Sequence, residues 1–98
     1  MLNSKDINEK LRSHLSALRV QYGVDRIGLF GSFVRGEQHT DSDIDLLVEF
    51  ARPVGLFKFV ELENQLSELL GGNVDLVTRN ALKHHIGNRI LDEVKYVN

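Results

Sequence analysis

The sequence contains no cysteine and no tryptophan, and only one proline. Without cysteine there is no disulfide and no thiolate metal ligand, which suits a reducing, cytoplasmic setting. No apolar run approaches the ~20 residues needed to cross a bilayer, and no signal-peptide pattern opens the chain. Positive charge is not in excess either. Twelve Lys and Arg stand against 14 Asp and Glu, a formal net charge of −2, and the basic residues are scattered. A protein that grips duplex nucleic acid unaided shows a basic stripe, so that class is excluded for this chain alone. There is no repeat, low-complexity tract or linker, and 98 residues suffice for one core but not for a core plus a substrate domain. Residues 1–98 are therefore read as a single domain.

What the chain does have is concentrated between Ile27 and Phe50, in the run IGLFGSFVRGEQHTDSDIDLLVEF. Ile44, Leu46, Val48 and Phe50 alternate with Asp43, Asp45, Leu47 and Glu49, the period-two pattern of a half-buried strand. Side chains two apart share a face, so Asp43 and Asp45 stand side by side, with α-carbons roughly 6.5–7 Å apart at a rise of about 3.3 Å per residue. Two carboxylates so placed can converge on one hard cation. Upstream, Gly31-Ser32 closes the apolar strand that ends Ile27-Gly28-Leu29-Phe30 and leads into Ser32-Phe33-Val34-Arg35, enough for one helical turn. A glycine there lets backbone approach a ligand, and the free N–H groups with the Ser32 hydroxyl suit a phosphate. A phosphate cradle beside paired carboxylates points to phosphoryl or nucleotidyl transfer.

The remaining elements follow from periodicity. Ile7, Leu11, Leu15, Leu18 and Tyr22 mark an amphipathic helix over Ser4 to Tyr22, with capping-box spacing at Asp6 and Glu9 and a stop at Gly23. Asp25 to Phe30 reads as the first strand, in which Gly28 removes a side chain where another backbone or a ligand approaches. Asp43 to Phe50 is the second strand, ended by Arg52-Pro53. A second long helix spans Leu56 to Leu70, its face marked by Leu56, Phe59, Val60, Glu63, Leu66 and Leu70. Phe57 and Leu62 fall off that stripe, so the helix is either sandwiched or offers an interface. Gly71-Gly72 is its stop and not a phosphate loop. Val74 to Val77 is a short third strand, and Asn80 to Val97 a last helix with Leu82, Ile86, Ile90 and Val94 at four-residue steps and Asn80 as N-cap. Alternating helices and strands predict an α/β (α+β) layer fold with a three-stranded sheet.

Asp75 adds a third strand-borne acid. Three carboxylates on one face raise one another's pKa unless cations neutralise them, and a paired-metal site is the simplest resolution. Two magnesium ions about 3.5–4 Å apart can activate an attacking oxygen and stabilise a leaving one. Other polar residues read as bland. Asp41 and His39 sit in a loop, His84 and His85 lack paired-ligand spacing, His14 borders an apolar stripe, and Tyr96 is packing or surface.

Gly31-Ser32-Phe33-Val34-Arg35-Gly36, then Ser42-Asp43-Ile44-Asp45-Leu46-Leu47-Val48, and later Val74-Asp75-Leu76, resemble the pattern of minimal nucleotidyltransferases of the DNA polymerase beta superfamily, proteins of the antitoxin kind. The likeness extends over nearly the whole chain. It implies a mixed sheet flanked by about four helices. It also implies that Gly31 and Ser32 hold the triphosphate of ATP, with Arg35 on the phosphates, the plainer alternative for Arg35 being a pair with Glu37. By the same resemblance Asp43 and Asp45 bind two Mg2+ ions (or Mn2+), while Asp75 binds one and serves as general base. In that family the partner is commonly a HEPN-type ribonuclease toxin whose tyrosine receives AMP.

The acceptor must then arrive on a partner surface, on a second copy, or as a small molecule, since no residues are left for an acceptor domain. The apolar helix surface around Phe57 favours a protein. The expectation is a metal-dependent nucleotidyltransferase acting on a HEPN-type toxin. Its rivals are a non-catalytic antitoxin that neutralises by contact and a small-molecule nucleotidyltransferase. Intact carboxylates and Gly-Ser argue against the first rival, and the missing acceptor domain against the second.

Overall fold

A β-strand turns successive side chains to opposite faces, and here both faces find a cover. The computed structural model describes residues 2–83 and 87–97. In order its elements are α1 (Ser4–Tyr22), β1 (Val24–Phe30), α2 (Ser32–Arg35), β2 (Ile44–Phe50), α3 (Leu56–Leu70), β3 (Val74–Thr78), α4 (Arg79–Lys83), α5 (Gly87–Glu93) and β4 (Lys95–Tyr96). The strands form one mixed sheet in the order β3-β2-β1-β4, with β2 parallel to β3 and the other pairs antiparallel. Parallel neighbours need a crossover, and α3 supplies it between β2 and β3.

On one face Ile27 and Leu29 of β1, Ile44, Leu46 and Val48 of β2, and Val74 and Leu76 of β3 are buried beneath α1 and α3. Ile7, Leu11, Leu15 and Leu18 reach this core from α1; Leu62, Leu66 and Leu70 reach it from α3. The Tyr22 hydroxyl donates to Gln65 Oε1 at 2.7 Å and ties the two helices together. The opposite face carries a smaller core of Phe30, Leu47 and Leu82, against which Val77, Ile90, Leu91, Val94 and Tyr96 pack. Leu47, although it alternates in phase with the acids, is therefore fully buried.

Several expectations change. The sheet has four strands rather than three. The last predicted helix is helical over Arg79–Lys83 and Gly87–Glu93, and then gives way to β4, where Gly28 faces Tyr96 and Leu29 faces Lys95. Val94 continues the helical spacing of Leu82 and Ile90, and a two-residue strand is too short to display alternation. His84, His85 and Ile86 lie outside the described residues. Gly28 admits another backbone and not a ligand: a Cβ there would stand 2.5 Å from Val94 Cγ1 and 3.2 Å from the Lys95 carbonyl oxygen. Asn80 lies inside α4, and Thr78 Oγ1 accepts the Ala81 N–H in the capping role. At α1 the cap is Asn3, whose side chain accepts the Asp6 N–H at 2.9 Å, because the helix already includes Ser4.

The face of α3 is also rotated from its predicted stripe. Leu62 is 0% exposed, whereas Leu56 is 75%, Phe57 91% and Val60 43% exposed. Glu63 is half-buried because its Oε2 accepts the Leu76 N–H at 2.9 Å, covering part of the open edge of β3. Leu62→Ala should therefore lower the unfolding free energy by about 2–5 kcal/mol, while Leu56→Ala should stay within about 0.5 kcal/mol of wild type. Urea titration of the two variants checks this, and equal losses would contradict the observed face.

Candidate active site

The strand register, rather than any one loop, gathers the polar residues. Phe30, the last residue of β1, pairs with Asp45, and Asp45 pairs with Asp75 across the parallel ladder. Gly31 follows Phe30 directly, so the turn, Asp45 and Asp75 lie in line across three adjacent strands. Gly31 adopts φ 79° and ψ −152°, a conformation that favours glycine, and heads the single turn of α2. A Cβ on Gly31 would sit 2.2 Å from Asp45 Oδ2, so the carboxylate rests against bare backbone. Asp43 just precedes β2 and is exposed, its Oδ1 accepting from Asn73 Nδ2 at 2.9 Å.

The three acids differ in environment. Asp75 is exposed on edge strand β3, and Asp45 is half-buried on central strand β2. Burial, then the charges of Asp75 and Asp43, push the Asp45 carboxyl up to about 6, with Arg35 partly offsetting the rise. The donor set is all carboxylate oxygen, which suits a hard divalent cation, and the mutual repulsion is the kind a cation relieves. Among the described residues no three acid or histidine side chains form a ready-made metal cluster.

Arg35 is engaged by two carboxylates. Its Nε donates to Glu37, and its Nη1 donates to Glu93 Oε1 at 2.7 Å. The other oxygen of Glu93, Oε2, accepts the Gly31 N–H at 3.3 Å. Phe30, Gly31, Arg35 and Asp45 thus face Arg89, Ile90 and Glu93 of α5 across an open cleft of about 480 Å³. Ser32 starts α2 and is half-buried, but it is not among the residues lining this cleft. Sequence reasoning missed Arg89 and Glu93. Their four-residue spacing on a helix was a visible signal, but nothing local aims that helix at Gly31. His39 and Asp41 are exposed, as expected, and pair with each other and with Ser42. Tyr96 packs: its hydroxyl donates to Glu49 Oε2 at 2.8 Å and Arg26 lies over its ring.

A carboxyl whose folded pKa exceeds its unfolded value near 3.9 stabilises the fold below that value, and the contribution is lost as pH rises through about 6. In chelator, Asp45→Asn should therefore melt at or above wild type at pH 7.5, with the advantage shrinking toward pH 4.5. Solvent screening at this open site limits the effect to on the order of 1 kcal/mol. Thermal melts across that range check it, and a loss of several kcal/mol at pH 7.5 would make Asp45 a structural partner instead.

Residues 10–97 match the nucleotidyltransferase domain family. The chain is 48% identical over 97 residues to the protein adenylyltransferase MntA of Thermococcus cleftensis, covering 99% of this chain and 98% of that protein. A solved structure provisionally described as a minimal nucleotidyltransferase superposes with a TM-score of 0.78 at 32% identity, covering 96% of this chain and 95% of that one. A chain of a toxin–antitoxin crystal structure with AMP-PNP superposes with a TM-score of 0.75 at 28% identity, covering 93% and 72%. The chain thus belongs to the nucleotidyltransferase domain family, and it is a nucleotidyltransferase.

Proposed function

We propose that this chain transfers AMP from ATP to the hydroxyl of a tyrosine on a HEPN-type toxin, and so acts as the antitoxin of a toxin–antitoxin pair. The observation that carries the reading is the register that aligns the Gly31 turn, Asp45 and Asp75 across three strands. Similarity to a protein adenylyltransferase and to a toxin–antitoxin chain crystallised with AMP-PNP supports the nucleotide and the class of acceptor. Residues 1–98 act in this reading as one domain, in the cytoplasm. No described helix is long and apolar enough to cross a membrane.

The Gly31 N–H, Ser32 and Arg35 hold the phosphates in this scheme, at the mouth of β1 where the backbone is bare. Asp43 and Asp45 would hold Mg2+ (two ions, or Mn2+) with Asp75. Bound there, the ions would offset the crowded carboxylates and polarise the reacting oxygens. Asp75 has a different task because of where it sits. It is the exposed acid on the outer strand, open to an incoming protein, whereas Asp45 is drawn back against Gly31. Asp75 takes the proton of the acceptor hydroxyl as its oxygen bonds to the α-phosphorus and pyrophosphate departs.

In this reading the exposed apolar patch at Leu56 and Phe57 meets the partner protein away from the reacting centre. It lies beyond the far end of β2, about 17 Å along the strand from Asp45 at about 3.3 Å per residue, where Phe50 meets Phe59 edge to face.

Calorimetry should show ATP binding only with Mg2+ or Mn2+ present, and equal affinity in chelator would remove the carboxylates from the site. Asp75→Asn should still bind Mg-ATP within about tenfold of wild type, yet lose roughly 10²–10⁴-fold in the rate of AMP transfer from labelled ATP to the toxin. Transfer by Asp75→Asn at the wild-type rate would sink the general-base role.

A further inference from the structure

We propose that Glu93 is an internal stand-in for a nucleotide phosphate: it occupies two donors of the phosphate cradle, the Gly31 N–H and Arg35, in the free protein and must be displaced when ATP binds. The proposal rests on the reading that Gly31 and Arg35 hold the phosphates. The geometry is that of an anion in a cradle. One carboxylate oxygen of Glu93 takes Arg35 Nη1 at 2.7 Å, and the other takes the Gly31 N–H at 3.3 Å. Two oxygens of one group spanning a guanidinium and a backbone amide is how a phosphate is gripped. The side chain is only 19% exposed, so it lies inside the cleft rather than across its rim.

Glu93 and a phosphate compete for the same donors, so Glu93 is displaced and is not a permanent brace. Gly31 has one N–H and that N–H has one hydrogen, so it serves Glu93 or a phosphate oxygen, not both. Arg35 is shared as well: with Glu37 on Nε and Glu93 on Nη1, its charge is matched by two carboxylates before any ligand arrives. Charge adds to this. Glu93 stands near enough to Asp45 to help raise its pKa, so leaving it in place beside a triphosphate would add repulsion where the ligand's own negative charge must sit. The same helix offers a replacement. Arg89, one turn before Glu93 on α5, lines the same cleft and can meet phosphate oxygens as Glu93 withdraws. Until then Glu93 keeps the amide and the guanidinium satisfied in the free protein, at a cost in apparent nucleotide affinity.

The test is calorimetry with Mg-ATP, and with Mg-pyrophosphate as a probe lacking base and ribose, on the full chain. Glu93→Gln keeps the shape and removes the charge; Glu93→Asp keeps the charge but is too short to span both donors. Both should bind either probe about three- to tenfold more tightly than wild type, the scale of one competing hydrogen-bonded contact. Both should also melt at or below wild type without nucleotide. A merely structural brace would lower stability and affinity together. Arg35→Ala tests the cradle apart from Glu93. If it weakens Mg-ATP binding while both Glu93 variants bind no better than wild type, the displacement proposal is overturned and the cradle stands. If Arg35→Ala leaves binding unchanged, the cradle itself is wrong and the proposal falls with it.

Discussion

The carboxylate of Asp45 lies against the α-carbon of Gly31 so closely that even a methyl group would meet its oxygen at 2.2 Å. Much of the molecule depends on that contact. It requires glycine at the end of β1, and the same glycine's positive φ turns the chain into α2. It also requires Phe30 to face Asp45 across the ladder, which places Phe30 over the small second core with Leu47. The site and the packing are consequently one construction: a slip of one residue between β1 and β2 would move Asp45 to the wrong face and pull Leu47 out of the core.

The two faces of the sheet do different work. Beneath α1 and α3 the packing is aliphatic and closed, with Leu46, Val48, Leu62 and Leu66 fully buried. Under α4 and α5 the face runs from carboxylates at one end, through Leu47 and Val77, to Glu49 at the other, where Tyr96 donates to it and Arg26 and Arg79 approach within 4 Å. Opposite charges settle Glu49, so that end is structural. The other end stays crowded with like charge, relieved only in part by Arg35. An unfavourable cluster held on a firm scaffold gains stability from any ligand that offsets its charge.

Glu93 shows how the C-terminal segment completes the site. The short β4 holds the chain on β1 opposite Gly28, and Val97 N–H donates to the Ile27 carbonyl at 2.8 Å. That anchorage brings α5 over the Gly31 turn, so a helix distant in sequence reaches the mouth of the first strand. Gly28 is needed for this approach, since a side chain there would strike Val94 and the Lys95 backbone.

Local periodicity was enough to read α1 and α3 to the residue, the two main strands within a residue, and Asp43, Asp45 and Asp75 as strand-associated acids. These depend on spacing within a single element, where a period of two or of nearly four decides which side chains share a face. Asp45 and Asp75 coming side by side is a matter of register between strands, which one sequence does not specify. The face of α3 could not be read either, because Leu56, Phe57, Val60 and Leu62 surround the helix and only its docking on the sheet selects Leu62. Nor could β4 and the placement of Glu93, for two residues cannot show alternation and an i, i+4 pair carries no direction in space. Spacing along the chain decided what each element is, and packing between elements decided which of its residues touch.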